Sequence, residues 1–223
     1  MSNRVRSTDG KKEPSVTARE EILQRLQERA RQAVAPAPWR SRRNFADLAD
    51  QFVTALTTAG GEVIRSTGTV AALEVLGDLL RQLDAAQVVA DGVPPLVDSN
   101  LDERWPRIRW HLVGHSGGNL RPFAAAADVG LSVALVALAE TGTVVVGSGP
   151  ATSRLTGLLP PVHVALVPSQ RLTSDLFTWT AKRQGGWPAA LTLISGPSKT
   201  ADIEQTMAVG VHGPKRFIAI LYE

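Results

Sequence analysis

A chain of 223 residues with 43% hydrophobic and 20% charged side chains has the balance of an ordinary globular protein and the length for one sizeable core. It contains no cysteine, which excludes disulfides, thiol catalysis, Cys-ligated zinc and Cys-ligated iron–sulfur clusters on this chain. The net charge of +3 is unevenly spread: residues 1–43 hold 11 Lys/Arg against 5 Asp/Glu, so the excess belongs to an N-terminal arm and the remainder is slightly acidic.

Residues 1–15, MSNRVRSTDGKKEPS, are polar and without period, and are expected to form a disordered tail. They lack the apolar centre of a secretory leader, and no apolar run in the chain reaches the length of a bilayer span. A cytoplasmic location is therefore expected. Thr17 and Glu20 have capping-box spacing at the head of a helix with apolar positions at Ile22, Leu23, Leu26, Ala30 and Ala33. Glu21 and Arg25 form an i,i+4 pair on it. The prolines of PAPWRSRR (36–43) read as a linker, so residues 16–43 form a helix and linker ahead of an α/β domain over 44–223. The arm carries one aromatic, Trp39, and its charge reads as a solvated helix face rather than a nucleic-acid surface.

Asn44 is placed to cap a helix with one apolar face, from Phe45 through Leu48, Phe52 and Val53 to Leu56, ended by Gly60-Gly61. GEVIRS (61–66) reads as a strand, residues 69–83 as an amphipathic helix, and AAQVVA (85–90) as a buried strand stopped by Asp91-Gly92. IRWHLV (108–113) has strand character and GHSGGNLRP (114–122) that of a loop. Residues 124–149 are too rich in Val, Ala and Leu to face water, and read as buried segments around a turn at Glu140-Thr141-Gly142. Strands follow at 162–167, 188–194 and 216–222, with helices at 172–184, capped by Thr173 or Ser174, and at 199–209. Alternation of strand and helix predicts a three-layer α/β/α domain with a mostly parallel sheet. Such sheets bind ligands at the carboxyl ends of their strands.

Four loops fall at such ends. In SGPSKTADIE (195–204) a helix starting near Ser198 to Ala201 would aim free N–H groups at an anion, with Lys199 adding charge and Ser198 and Thr200 adding donors. The same residues also suit plain helix capping, with Asp202 and Glu204 complementing the dipole. In VHGP (211–214), His212 is either a turn residue or a titratable donor. In AETGT (139–143), Glu140 is either a base or nucleophile, or an acceptor for the N–H groups of its own turn. In RLTGLLPPVHV (154–164), Arg154 can clamp an anion, while His163 reads as a core histidine. The four histidines form no metal motif, the GxGxxG and Walker spacings are missing, and GHSGGN is not a nucleophile elbow.

Asp128 to Gly130, Ala139 to Thr143, Arg154 with Leu158-Leu159-Pro160, His163, SGPSKTADIE (195–204) and Gly210-Val211-His212-Gly213-Pro214 together resemble the lactate-utilisation (LUD) domain family. The resemblance covers roughly residues 17–223 and is sharpest from Asp128 onward. It implies a fold similar to the sugar-phosphate isomerase and CoA-transferase superfamily. It also implies a role with two partner proteins, one bearing iron–sulfur clusters, in oxidising L-lactate to pyruvate. A cysteine-free chain fits a subunit that binds no cofactor itself. The stretch after Gly130 is more uniformly apolar than the family's Thr-containing version, with only Ser132 keeping a hydroxyl, and the basic arm before Thr17 has no obvious family counterpart.

With the resemblance, an anion-binding crevice floored by the SGPSKT loop is the favoured reading. Its expected ligand-binding residues are Thr141, Gly142, Thr143, Arg154, Ser195, Gly196, Ser198, Lys199, Thr200, His212 and Gly213, with Glu140 as the catalytic candidate and no metal. Three functions compete: an anion-binding subunit of lactate oxidation, an autonomous CoA-transferase- or isomerase-like enzyme using Glu140, and a nucleic-acid regulator using the basic arm.

Overall fold

The computed structural model describes residues 17–29, 39, 41, 43–201 and 207–223. The chain divides into two units, Met1–Pro38 and Trp39–Glu223. The expected tail at 1–15 lies outside the described residues, as does most of the linker. In the first unit, helix α1 (Ala18–Arg29) opens with the reciprocal capping box. The Thr17 N–H and hydroxyl each donate to the Glu20 carboxylate at 2.8 Å, and the Glu20 N–H donates back to the Thr17 hydroxyl at 3.4 Å. Arg25 pairs with Glu21 at 2.7 Å.

The second unit runs α2 (Leu48–Thr58), β1 (Glu62–Ser66), α3 (Gly68–Gln82), β2 (Gln87–Ala90), α4 (Leu101–Arg104), β3 (Arg109–Leu112), α5 (Leu120–Ala125) and β4 (Val129–Val133). It continues with β5 (Val136–Leu138), β6 (Thr143–Ser148), α6 (Arg154–Leu158), β7 (Val162–Pro168), β8 (Leu172–Thr173) and α7 (Leu176–Lys182). β9 (Ala190–Ile194), β10 (Lys199–Ala201), β11 (Met207–Val209) and β12 (Arg216–Tyr222) close it. The main sheet has the order β1-β12-β7-β4-β2-β3, and every neighbouring pair in it is parallel. A second sheet, β8-β5-β6-β9, is mixed. The expected α/β class with a mostly parallel sheet is what the chain adopts.

Both faces of the main sheet are covered, which is why its strands read as unbroken apolar runs. Along β12, Ile218 and Ile220 point to one face, where they meet Leu76 and Leu80 of α3, Leu131 and Leu166. Phe217, Ala219 and Leu221 point to the other, against Phe52 and Leu56 of α2 and the inner side of β5 and β6. The second sheet thus shares that layer with helices. Gly130 allows the close approach of α6: a Cβ there would run into the Thr156 carbonyl oxygen. Gly142, at φ +62°, lets the β5–β6 turn lie against the backbone of Leu56.

Several local expectations are corrected. Asp47, not Asn44, caps α2, its carboxylate accepting the N–H groups of Ala49 at 2.7 Å and Asp50 at 2.9 Å. Asp175, not Thr173 or Ser174, caps α7 by accepting the Thr178 N–H at 2.8 Å. Residues 199–209 do not begin or end as a helix: Lys199–Ala201 and Met207–Val209 pair as antiparallel strands, while 202–206, with Asp202 and Glu204, lie outside the described residues. None of the described helices is long and apolar enough to cross a membrane.

Candidate functional site

The chain leaves β2 and β4, which are neighbours, in opposite directions. β2 leads through α4 to the edge strand β3, whereas β4 leads through the second sheet to β7 on its other side. Loops that part in this way open a crevice at the carboxyl ends of the strands. Asp91 follows β2 at that point and is 2% exposed. Its N–H donates to the Leu131 carbonyl at 2.9 Å, and its carboxylate receives long hydrogen bonds from Ser153 N–H (3.3 Å) and Val133 N–H (3.4 Å). Burial pushes its carboxyl up to about 7. The two backbone donors and the nearby Thr156 hydroxyl pull the other way but are outweighed.

Val133, whose N–H bonds to this carboxyl, lines a hollow of about 620 Å³ that Asp91 itself does not line. Val93, Val133 and Leu135 give it apolar walls, Ser148, Gly149 and Thr152 a polar side, and Arg171, Arg183 and Trp187 its rim. A second hollow of about 680 Å³ shares Ser148, Gly149 and Thr152 with the first and reaches Arg154. Neither is lined by an Asp or Glu among the described residues. Arg171 donates to the Ala134 carbonyl. Arg183 donates to the Gly186 carbonyl at 2.9 Å and lies over two indole rings, 5.4 Å from the centre of Trp179 and 4.8 Å from that of Trp187. Its Nε is buried without a partner among the described residues. A cavity bearing guanidinium groups and no carboxylate is chemically suited to anions.

The loops named from sequence assemble elsewhere. The Thr143 hydroxyl, buried, is bonded to the hydroxyls of Thr141 and Ser195, the latter at 2.7 Å. Glu140 forms an ion pair with Arg43, and its N–H donates to the Ser174 carbonyl at 2.9 Å. Lys199 Nζ donates to the Ala59 carbonyl at 2.6 Å, at the end of α2, and Gly196 packs against the same carbonyl. The Ser198 N–H donates to Pro214 and the Ser198 carbonyl accepts from Gly210, both at 2.9 Å, with Gly213 packed on the Ser198 side chain. The two Gly-Pro loops therefore meet, where a helix over 199–209 would hold them apart. Without that helix its N-terminal N–H groups are not available to an anion, and Lys199 faces the negative end of another helix. Thr200 is paired in β10 and His212 is exposed in the bend before β12. Arg154 stands apart: the hydroxyl cluster is at the start of β6 and the crevice at its end, roughly 17 Å along the strand. His163 is fully buried and shares a 2.7 Å hydrogen bond with Ser132 Oγ, which accounts for that hydroxyl. Burial holds its imidazole down at about 3, so it stays neutral. No cluster of three or more His, Cys, Asp or Glu side chains placed to hold a metal occurs among the described residues.

The profile of the LUD domain matches residues 49–222. The chain belongs to the LUD domain family. It is 31% identical over 184 residues to Lactate utilization protein C of Halalkalibacterium halodurans, covering 78% of this chain and 80% of that protein. It is 35% identical over 132 residues to Lactate utilization protein C of Bacillus subtilis, covering 55% of each. Among solved structures it is similar to a DUF162 family protein from Deinococcus radiodurans, with a TM-score of 0.52 at 18% identity over 79% of this chain and 96% of that one. That likeness shows a common fold.

Within this LUD domain, sequence reasoning missed Asp91, Arg171, Arg183 and Trp187. Asp91 carried the one usable signal, an acid directly after the apolar run of a parallel strand. Arg183 and Trp187 lie in a Gly-rich loop whose spacing holds no motif.

Proposed function

We propose that this LUD domain is a subunit of an L-lactate utilisation system in the cytoplasm. It binds a small anionic ligand in the crevice at the carboxyl ends of β2 and β4, and acts with other subunits that include an iron–sulfur protein. Oxidising lactate to pyruvate releases two electrons and two protons, and a cysteine-free chain supplies no cluster to accept the electrons. This chain is proposed to carry no cofactor of its own. The observation that carries the reading is the match to Lactate utilization protein C across 78% of the chain. The arginines of the crevice support the anion. An autonomous CoA-transferase- or isomerase-like enzyme using Glu140 has less support, because Glu140 is engaged by Arg43 and lies outside the crevice.

The test is genetic and biochemical. Deleting the gene in its host should abolish growth on L-lactate while leaving growth on pyruvate intact, and a tagged copy should restore growth and co-purify an iron–sulfur protein. Normal growth of the deletion strain on L-lactate would overturn the role. Lactate turnover by the isolated chain would overturn the division of labour between subunits.

A further inference from the structure

We infer that the crevice is built for a nucleoside polyphosphate moiety: a ligand with a flat ring at Trp187 and two or more negative charges reaching toward Arg154. The inference rests on the crevice being the anion site and names the ligand class that it takes.

Charge is the first argument. Arg171 and Arg183 line one hollow, Arg154 the adjoining one, and no lining carboxylate balances them among the described residues. A monocarboxylate such as lactate neutralises one guanidinium. Three cations around two adjoining hollows are matched by a ligand whose charges are spread along its length, as phosphates are.

Size is the second. Hollows of about 620 and 680 Å³, which share Ser148, Gly149 and Thr152 as lining, each have the dimensions of a small-molecule site. Lactate has six non-hydrogen atoms and would leave most of this space to water. The third argument is the ring surface. Trp187 is 58% exposed at the rim although it is a large aromatic. Arg183 lies over its ring and Trp179 meets it edge to face, at 4.8 Å and 5.8 Å between centres, which holds the indole in place. Val133 and Leu135 continue the apolar surface inward. A base stacks on such a ring, and its sugar and phosphates then lie along the arginines. The five-residue helix α6 adds no phosphate cradle of its own, and the N–H groups of Gly149 and Thr152 are bonded to each other's carbonyls. Side chains therefore carry the recognition.

Calorimetric titration of the full chain with ADP, inorganic pyrophosphate, adenosine and L-lactate tests this, with NAD as a further arm to separate a free nucleotide from a dinucleotide. ADP is expected to bind. Arg154→Ala should weaken ADP and pyrophosphate about tenfold or more without affecting adenosine. Trp187→Ala should weaken ADP and adenosine about tenfold and leave pyrophosphate unchanged. Both side chains are exposed, so the melting temperature serves as the control for an intact fold. If L-lactate binds but neither ADP, NAD nor pyrophosphate does, the nucleotide inference is overturned and the anion site survives. If ADP binds equally to wild type and both variants, its site is elsewhere and the inference is overturned as well.

Discussion

The N–H of Ser198 donates to the carbonyl of Pro214 at 2.9 Å, joining two Gly-Pro loops that lie on either side of a strand pair. The bond makes the SGPSKT loop a clasp where the sequence suggested a helix cap. One side of the clasp holds Gly210 and Gly213, and the other reaches across to the last turn of α2 through Gly196 and Lys199.

Lys199 should accordingly behave as a structural residue. Its ammonium donates to Ala59, the residue that closes α2, where the dipole presents negative charge. Lys199→Ala is expected to cost about 0.3–1 kcal/mol, given the exposure of the side chain. For a domain of this size that is a fall of roughly 1–4 °C in melting temperature. Anion binding in the crevice should be unchanged. A variant that melts like wild type but loses anion binding would return the site to the SGPSKT loop.

Gly130 makes a sharper demand. A methyl group at this position would collide with the Thr156 carbonyl oxygen, a backbone atom that cannot swing aside. α6 would have to lift from the sheet, taking with it Ser153, whose N–H donates to Asp91. Gly130→Ala should cost about 1–3 kcal/mol or more by urea denaturation. It should also perturb the crevice, although Gly130 does not line it. An unchanged denaturation midpoint would show that α6 is not seated as described.

Much of the fold was legible because the main strands are buried on both faces and announce themselves as apolar runs such as VHVALV and RFIAILY. Helix α3 was legible from its leucine spacing, and its bounds came within one residue. The 199–209 segment was not. Its Ala, Glu, Gln and Met favour a helix locally, but Lys199 finds its partner 140 residues away and the strand pair follows from that tertiary setting. The crevice was hidden for a similar reason. Asp91 before a glycine reads as a turn, and only groups 42 and 62 residues distant make it a buried carboxyl.

Asp91 and His163 should leave opposite marks on the pH dependence of stability. The folded protein keeps a proton on Asp91 up to about 7, whereas the unfolded chain loses it near 3.8. Across that interval the native state binds more protons, so this group makes stability fall as pH rises, and its ionised form opposes folding above pH 7. His163 does the reverse. Its folded imidazole resists protonation down to about 3, while the unfolded one takes a proton below 6.5, so stability rises with pH between those values. From about pH 4 to 6.5 the two slopes cancel, each being about 1.4 kcal/mol per pH unit at most. Asp91→Asn removes one slope and should expose the other: relative to wild type the variant gains stability steadily from pH 4 to 7, then no further. His163→Gln should give the opposite trend, losing stability relative to wild type as pH rises from about 3 to 6.5, then no further. Denaturant midpoints at half-unit steps would resolve both trends, and the difference from wild type removes the contribution of every other group. Parallel profiles for wild type and Asp91→Asn would mean that Asp91 is already ionised in the folded protein.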